Sequence, residues 1–270
     1  MSTMSIRRIT AIVIRQFYLL RGSPARFLPI IAWVAIDIVL WGFITRYLNA
    51  IASSGFNFVS LLLGAVLFWD FCSRIMHGVT TAFLEDVWSR NFLNIFATPL
   101  SIPEYVSGLV ITSLATGLLA LIVMLVLAAT VFGLSFLGYG AVLIPFLLVL
   151  FLFGIAIGIV GCSIVLRFGP ASEWLVWPIP ALLSPLVGVF YPVSTLPLWM
   201  QYLSRMLPPS YVFEGMRAIV SGGNAPGAAL VWGGGLAGIY VLLACWLFTR
   251  TYRYAVRTGL LARYSAESVG

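Results

Sequence analysis

The chain has 270 residues, of which 61% are hydrophobic and only 9% are charged, and its mean hydropathy is +1.07. A soluble domain carries about a quarter charged residues, so this composition excludes a soluble protein and indicates an integral membrane protein. All fifteen basic residues are arginine, and the absence of lysine excludes the P-loop that cradles ATP phosphates as well as Schiff-base chemistry.

The residues that could carry catalysis or bind a metal are few. The three cysteines lie in apolar stretches without a CxxC pair, and the single histidine is His77. No GxSxG motif and no nucleophile with an adjacent base occurs. We therefore expect no enzyme activity, no catalytic residue, no metal and no cofactor on this chain, and no nucleic-acid partner.

The N-terminal segment, residues 5–21, is predicted to be an amphipathic helix lying on the membrane surface. Its apolar residues recur three and four apart, whereas Arg8 and Arg15 fall seven apart on the other side. A glycine-serine-proline break follows, and Pro29 is expected to open the first span, about 28–48.

A second span is predicted at about 58–82, and a short amphipathic helix at 88–98 follows it. One face of this helix is aromatic and apolar, the polar residues around Arg90 lie opposite, and Pro99 stops it.

The rest of the chain supplies further apolar segments. Spans are predicted at about 104–132 and 141–166, a proline-broken span at about 172–190, half-inserted helices at 194–220, and a last span at about 228–248. The fourth span carries three glycines at a spacing that permits close helix contact: Gly154, Gly158 and Gly161. The predicted fold is an all-α membrane protein with six transmembrane helices, forming one domain over residues 1–270 with no room for a folded ATPase.

The arginines indicate the orientation. With six crossings and both termini in the cytoplasm, eleven arginines fall in inside segments and three in outside segments, while Arg74 lies within a span. This places the helix at 88–98 on the cytoplasmic side and the half-inserted helices on the outer side.

Two motif-bearing segments resemble a known family. They are LEDVWSRNFLNIFATPLSIPEY and FYPVSTLPLWMQYLSRMLPPSYVFEGMR, and with the surrounding spans they resemble the permease subunit of type V ATP-binding-cassette exporters. The resemblance implies a multi-pass protein of the bacterial inner membrane, surrounded by membrane lipid, that forms a homodimer, or occasionally a heterodimer, with two cytoplasmic ATPase subunits. ATP and magnesium would bind to those partners, and the cargo would be an amphipathic drug, lipid or lipid-linked glycan.

The first motif is similar to the coupling helix of that family, which docks into the ATPase. The residues expected to couple are Glu85, Asp86, Trp88, Arg90, Phe92, Ile95, Pro99 and Glu104. The alternative is a solvated loop whose aromatic face lies on lipid headgroups.

The second motif is expected to hold an outer gate closed. Its residues are Pro192, Leu196, Pro197, Trp199, Pro208, Tyr211, Glu214 and Arg217. Glu214 and Arg217 are also spaced for an ordinary intrahelical ion pair, and the tryptophan also suits a membrane-interface belt.

Four polar residues fall inside predicted spans. Asp70 and Arg74 are four apart, which predicts an intrahelical pair, although the same residues suit a transport path or a dimer seam. His77 is expected to be neutral and hydrogen-bonded within the bundle. Asp37 has no basic neighbour at helical spacing, so it needs a partner from another helix or a proton.

A gradient-driven secondary transporter is the alternative function. It predicts an inverted repeat with paired broken helices, and the sequence has only one strongly broken span.

Overall fold

The computed structural model describes residues 5–51, 59–89, 91–134, 140–223 and 227–260. Within these ranges all regular structure is helical, and no strand occurs. The helices long and apolar enough to cross a membrane number five here, at Ile31–Ile51, Leu61–Trp88, Ile102–Phe132, Gly140–Phe168 and Gly227–Arg257. The all-α membrane fold is thus confirmed, whereas the broken stretch at 172–190 is not a helix of spanning length.

The first two helices are separated by a short turn. Helix α1 covers Ile6–Arg21, within one residue of the prediction, and α2 covers Pro24–Ile51. The helix itself starts five residues before Pro29, at Pro24, while its part that is apolar enough to span a membrane begins at Ile31. Proline is favourable at a first helical position, where its missing N–H would have no partner.

Helix α3 covers Gly64–Trp88 after a π-helical turn at Val59–Leu63. It continues six residues beyond the predicted end at 82, and Trp88 is its last residue. The following helix, α4, is therefore Phe92–Ala97 rather than 88–98. The acidic residues near position 85 do not end α3, since they find partners within the fold.

Helix α5 covers Ile102–Phe132 and begins with a capping box, in which Ser101 and Glu104 satisfy each other's backbone N–H groups. It ends at Gly133, whose φ of 67° is the left-handed conformation that glycine adopts at helix ends.

Helix α6 covers Leu143–Phe168 and packs closely on α3. A Cβ atom added at Gly154 would lie 2.7 Å from the carbonyl oxygen of Cys72, and one at Gly158 would lie 2.9 Å from the Cβ of Val79. The three glycines are therefore packing residues, as the spacing predicts.

The stretch after α6 is broken, as its prolines predict. It consists of a 3-10 turn at Pro170–Ser172 and two short helices, α7 (Glu173–Val176) and α8 (Ile179–Leu183). A proline has no N–H to donate, so no continuous helix forms across Pro178 and Pro180.

Two helices lie in the second motif, and a long one follows. They are α9 (Leu198–Arg205), preceded by a 3-10 turn at Val193–Thr195, then α10 (Pro208–Val220) and α11 (Gly227–Arg257).

Helix α3 lies at the centre of the bundle, between α5 and α6, and α11 packs on the other side of α6. Helix α1 lies against α5, and α2 contacts α5 and the π-helical turn. The interior is rich in fully buried aromatic rings: Phe68, Phe71, Phe83, Tyr105, Phe146, Phe153, Phe213 and Phe248. We call the end of the bundle that holds α1, α4, α7 and the last turns of α11 the arginine-rich end; α9 and α10 lie at the opposite end.

Candidate functional site

At the arginine-rich end, α1 is joined to α3 by a buried ion pair. The guanidinium of Arg15 contacts the Oδ1 atom of Asp86, and the Asp86 side chain has no exposed surface. The hydroxyl of Tyr105 donates to the other oxygen of Asp86 at 2.7 Å. Three helices, α1, α3 and α5, therefore meet at one carboxylate.

A second carboxylate joins α1 to the start of α5. Glu104 is fully buried and accepts the backbone N–H of Ser5 at 2.7 Å and that of Ser101 at 2.8 Å. The Nη1 atom of Arg8 lies 3.5 Å from its Oε2 atom. The residue that caps α5 thus also holds the N-terminus of α1.

The sequence predicts that Glu85, Asp86 and Arg90 make charge contacts with the ATPase, whereas Asp86 is enclosed and paired within the chain. Asp86 and Glu104 have no exposed side-chain surface, and they pair with Arg15 and Arg8, whose side chains stay 28% and 38% exposed. Periodicity separates the apolar and polar sides of α1, but it does not say whether the polar side meets water or a buried carboxylate. The pairing partners Arg8, Arg15 and Tyr105 were absent from the predicted site.

Two further contacts connect this region to its surroundings. Glu85 lies 3.4 Å from the Nε atom of Arg26 and so links α3 to α2. The indole N–H of Trp88 donates to the Oε2 atom of Glu173 at 3.0 Å, which links α3 to α7.

Helix α4 lies between the end of α3, which Asp86 joins to α1, and the start of α5, which Glu104 joins to α1. Ile95 is 8% exposed and packs against the core, whereas Asn94 and Ala97 are exposed. Pro99 is exposed just beyond the helix. Arg90 lies outside the described residues, as does the side chain of Phe92. The face of α4 that carries Asn94 and Ala97 is thus available to a partner.

Deeper in the bundle, Arg74 lies between two carboxylates. Its Nε atom is 2.6 Å from the Oδ2 atom of Asp70, one turn away on α3, and its Nη2 atom is 3.6 Å from the Oδ2 atom of Asp37 on α2. The intrahelical pair is confirmed, and the partner that Asp37 needs does come from another helix.

A cavity of about 450 Å³ extends from Arg74 toward the arginine-rich end. Its walls come from α1, α2, α3 and α5 and carry polar groups from Gln16, Arg26, Glu85 and Trp88. His77 also lines it. The His77 ring lies 5.1 Å from the Trp177 ring, and the buried Nε2 atom of His77 has no hydrogen-bond partner among the described residues.

An apolar groove of about 740 Å³ adjoins this cavity. It lies between α1, α2 and α5 and is lined by side chains such as Phe17 and Leu28. Three residues line both spaces, namely Leu20, Thr112 and Thr116. The two spaces therefore share part of their lining.

At the opposite end, Glu214 and Arg217 of α10 form hydrogen bonds with backbone groups of the proline-broken stretch and of the turn that follows it. The Nη2 atom of Arg217 donates to the carbonyl of Gly188 at 2.6 Å and to the Oε1 atom of Glu214 at 2.9 Å. That same carboxylate oxygen accepts the backbone N–H of Val193 at 2.8 Å. The predicted i,i+3 pair exists, and it also satisfies backbone groups of a segment that lacks regular hydrogen bonding.

The other residues of the second motif are spread over the same end. The Tyr211 hydroxyl donates to the carbonyl of Arg205, Pro208 is buried at the start of α10, and Trp199 is 62% exposed. Pro192 and Pro197 are exposed, and the carbonyl of Leu196 accepts the Gln201 amide. Gly188, with φ of 68°, was not predicted, and the positive φ that it supplies is not visible in a sequence.

Comparison with known proteins gives one family. A family model described as ABC-2 family transporter protein matches residues 45–247, which includes most of the bundle and the second motif. Comparison with curated proteins gives no match.

Proposed function

Because this chain belongs to the ABC-2 family of transporter proteins, we propose that it is the permease of an exporter driven by separate cytoplasmic ATPase subunits. ATP and magnesium bind to those subunits in this proposal. The cargo is an amphipathic molecule that leaves the cytoplasm or the inner leaflet.

The observation that carries the proposal is the position of α4. This helix connects the end of α3, clamped to α1 through Asp86, with the start of α5, clamped to α1 through Glu104. A force applied to the exposed face of α4 is passed to both helices and to α1 together. The Arg15–Asp86 pair suits this transmission because separating a buried carboxylate from its cation costs about 3–5 kcal/mol. The Arg8–Glu104 pair is weaker because Arg8 is 38% exposed and screened by solvent.

In this proposal Glu85, Trp88 and Pro99 lie beside the docking face. Ile95 supports α4 from within, and Asp86 and Glu104 transmit its motion without touching the ATPase. Arg90 and Phe92 are proposed to contact the partner on the basis of the sequence motif.

We infer six crossings, with the broken stretch as the fifth. Glu173 contacts Trp88 at the arginine-rich end, while Phe190 stacks on Trp41 of α2 with ring centroids 5.1 Å apart. Between them, Trp177 lies beside His77 on α3. The stretch therefore lies beside α3 from Trp88 to His77 and reaches α2 at Trp41; α3, with 25 residues, is about 38 Å long. The arginine excess at the α1 end supports an orientation in which that end and both termini face the cytoplasm. The bacterial inner membrane is proposed from the resemblance to the exporter family.

The two adjoining spaces support the proposed amphipathic cargo. The cavity beside Arg74 and His77 suits a headgroup, and the apolar groove suits a hydrocarbon tail. Such a cargo would lie across the lining that the two spaces share, at Leu20, Thr112 and Thr116. Glu214 and Arg217 are proposed to keep the opposite end closed until ATP binds, and two permeases with two ATPases complete the assembly.

The test uses the tagged, full-length protein purified in mild detergent from its own membranes. We expect an ATPase to co-purify, and its vanadate-sensitive hydrolysis to increase in the presence of the permease. The variant Asn94→Arg with Ala97→Glu changes the docking face. It should no longer co-purify with the ATPase.

Transport by inverted membrane vesicles separates the two function classes. The proposal predicts uptake of a fluorescent lipid that requires ATP and stops with vanadate. Uptake that continues without ATP and stops with an uncoupler would show a gradient-driven transporter instead.

A further inference from the structure

The cavity that extends from Arg74 presents hydrogen-bond acceptors along its α5 wall. Thr112 and Thr116 line this wall. The Thr112 hydroxyl donates to the carbonyl of Gly108 at 2.9 Å, and the Thr116 hydroxyl donates to the carbonyl of Thr112 at 3.1 Å. Since a hydroxyl has only one proton to donate, the lone pairs of both oxygens are left to accept a hydrogen bond from a ligand.

Gln16 of α1 contributes a further acceptor on the facing wall. Its side chain lines the cavity, and the residue is only 2% exposed. The amide nitrogen donates to the carbonyl of Ala82 on α3 at 3.5 Å, while the amide oxygen has no hydrogen-bond partner among the described residues. A polar side chain enclosed to this degree normally has its hydrogen bonds satisfied, so the free oxygen indicates a donor from outside the chain.

Negative charge exceeds positive charge around this cavity. Arg26 and Glu85 line it and pair with each other. Arg74 also lines it, and this one guanidinium serves both Asp70 and Asp37. Among the described residues around the cavity, two arginines therefore face three carboxylates. The excess carboxylate gives the deep end of the cavity a field that attracts a cation.

Asp37 is the less satisfied of the two carboxylates beside Arg74. An oxygen of Asp70 lies 2.6 Å from the Nε atom of Arg74, whereas the nearest oxygen of Asp37 lies 3.6 Å from the Nη2 atom. Asp37 lies within the membrane-spanning part of α2, where an ionised side chain without full compensation is costly. A cation at the deep end of the cavity would offset part of this cost.

These properties select among the common headgroups. A phosphate is excluded because it is negative and offers oxygens to a wall that already presents oxygens. A quaternary ammonium has the required charge but no N–H group. A protonated primary amine has the positive charge and three N–H donors. The apolar groove that shares Leu20, Thr112 and Thr116 with the cavity then receives a hydrocarbon chain.

We propose that this cavity binds the protonated amine of an amphipathic amine, whose hydrocarbon part lies in the adjoining groove. Gln16, Thr112 and Thr116 accept hydrogen bonds from the amine, and the excess negative charge beside Arg74 attracts it. The inference rests on the proposed function, because it names the headgroup of the cargo that the exporter would carry.

The test compares three amphiphiles that share one hydrocarbon chain, namely dodecylamine, dodecyltrimethylammonium and dodecyl phosphate. Each is radiolabelled and equilibrated at neutral pH with the full-length protein in phosphatidylcholine nanodiscs, and binding to empty nanodiscs is subtracted. We expect dodecylamine to bind at least about tenfold more tightly than the other two, since hydrogen bonds to a charged donor account for the difference.

Three variants that keep the size of the side chain locate the site. Asp37→Asn, Gln16→Leu and Thr116→Val should each weaken the binding of dodecylamine about tenfold, because each removes a charge or an acceptor. Thr130→Val is the matched control. Thr130 lies on the same helix as Thr116 and also donates to a backbone carbonyl one turn back, but it is exposed outside the cavity. This variant should bind dodecylamine like the wild type.

Other outcomes would overturn the proposal. Equal binding of dodecylamine and dodecyl phosphate would show that the cavity does not select a cation, and equal binding of dodecyltrimethylammonium would show that its acceptors play no part. Displacement of dodecylamine by an equal concentration of ethylamine would assign the site to a soluble amine. Unchanged binding in all three cavity variants would place the amine elsewhere.

The result is independent of the exporter proposal because binding is measured without the ATPase. Selective binding of dodecylamine without ATP-dependent uptake would contradict the exporter and leave the amine site standing. ATP-dependent uptake of dodecyl phosphate in preference to dodecylamine would support the exporter and overturn the amine site.

Discussion

Arg15 of α1 and Asp86 of α3 are joined in an ion pair whose carboxylate is fully enclosed and also accepts the Tyr105 hydroxyl. The pair makes α1 part of the helix bundle, and a helix attached only to the membrane surface would not need it. Residues far apart in sequence thus meet beside α4, the helix that we propose binds the ATPase.

The first prediction concerns the Arg15–Asp86 pair. Arg15→Met leaves a buried carboxylate without its cation, so we expect the protein to lose about 3–5 kcal/mol of stability and its transport activity. Thermal unfolding in detergent and vesicle uptake measure the two effects. Arg7→Met is the matched control because Arg7 is exposed on the same helix. A double variant with Asp86→Asn should recover part of the lost stability, and additive losses would contradict the pairing.

The second prediction separates the two faces of α4. Ile95 packs inward, so Ile95→Asp should lower stability by about 2–5 kcal/mol. Asn94→Arg with Ala97→Glu changes only the exposed face and should leave stability unchanged while uncoupling ATPase stimulation. The paired replacement Phe92→Asp and Ile95→Asp should abolish both folding stability and transport. If the variant Asn94→Arg with Ala97→Glu retained transport, the ATPase would have to contact another surface of the permease.

The third prediction concerns the charges at Arg74. Asp37 is 40% exposed and 3.6 Å from the cation, so Asp37→Asn should change stability by less than about 1 kcal/mol. Arg74→Met leaves Asp37 on α2 and Asp70 on α3 without a cation. The variant protein should therefore not accumulate normally in the membrane. Membrane yield and transport are measured for both. We expect Asp37→Asn to assemble and to transport poorly; wild-type transport would assign Asp37 a packing role only.

The fourth prediction concerns the opposite end. Arg217→Met frees the carbonyls of Gly188 and Val189, and hydrogen bonds from a charged donor contribute about 1.5–3 kcal/mol each. A cysteine placed at Phe190, in a background with Cys245→Ser, should then react faster with an impermeant maleimide added from that side. Arg205→Gln, an exposed arginine on α9, is the control. Equal labelling rates would show that Arg217 does not hold the broken stretch.

Much of the fold follows from local sequence signals. The spans of α5, α6 and α11, the proline-broken stretch and the glycine contacts were predicted because each depends on composition and spacing within one segment. The bounds of α3 and α4 were not, since the residues near Glu85 and Asp86 look like a polar loop until Arg26 and Arg15 are placed beside them.

The same distinction between local and long-range contacts applies to the candidate site. The pairs within one helix, Asp70 with Arg74 and Glu214 with Arg217, were predicted from spacing. The contacts that make them part of a site involve other elements, such as Asp37 for the first pair and Gly188 for the second. Periodicity carries no information about which helices become neighbours, so these contacts required the structure.

The glycine contacts between α3 and α6 have a mechanical consequence. Backbones that approach this closely interlock, so the two helices have little freedom to slide or rotate against each other and behave as one rigid body. A rigid body about 38 Å long, tilted by about 5° at the end near Asp86, moves its far end by about 3 Å. A small tilt at the proposed ATPase-binding end would thereby be converted, without any bending, into a shift of roughly one atomic diameter at the opposite end of α3.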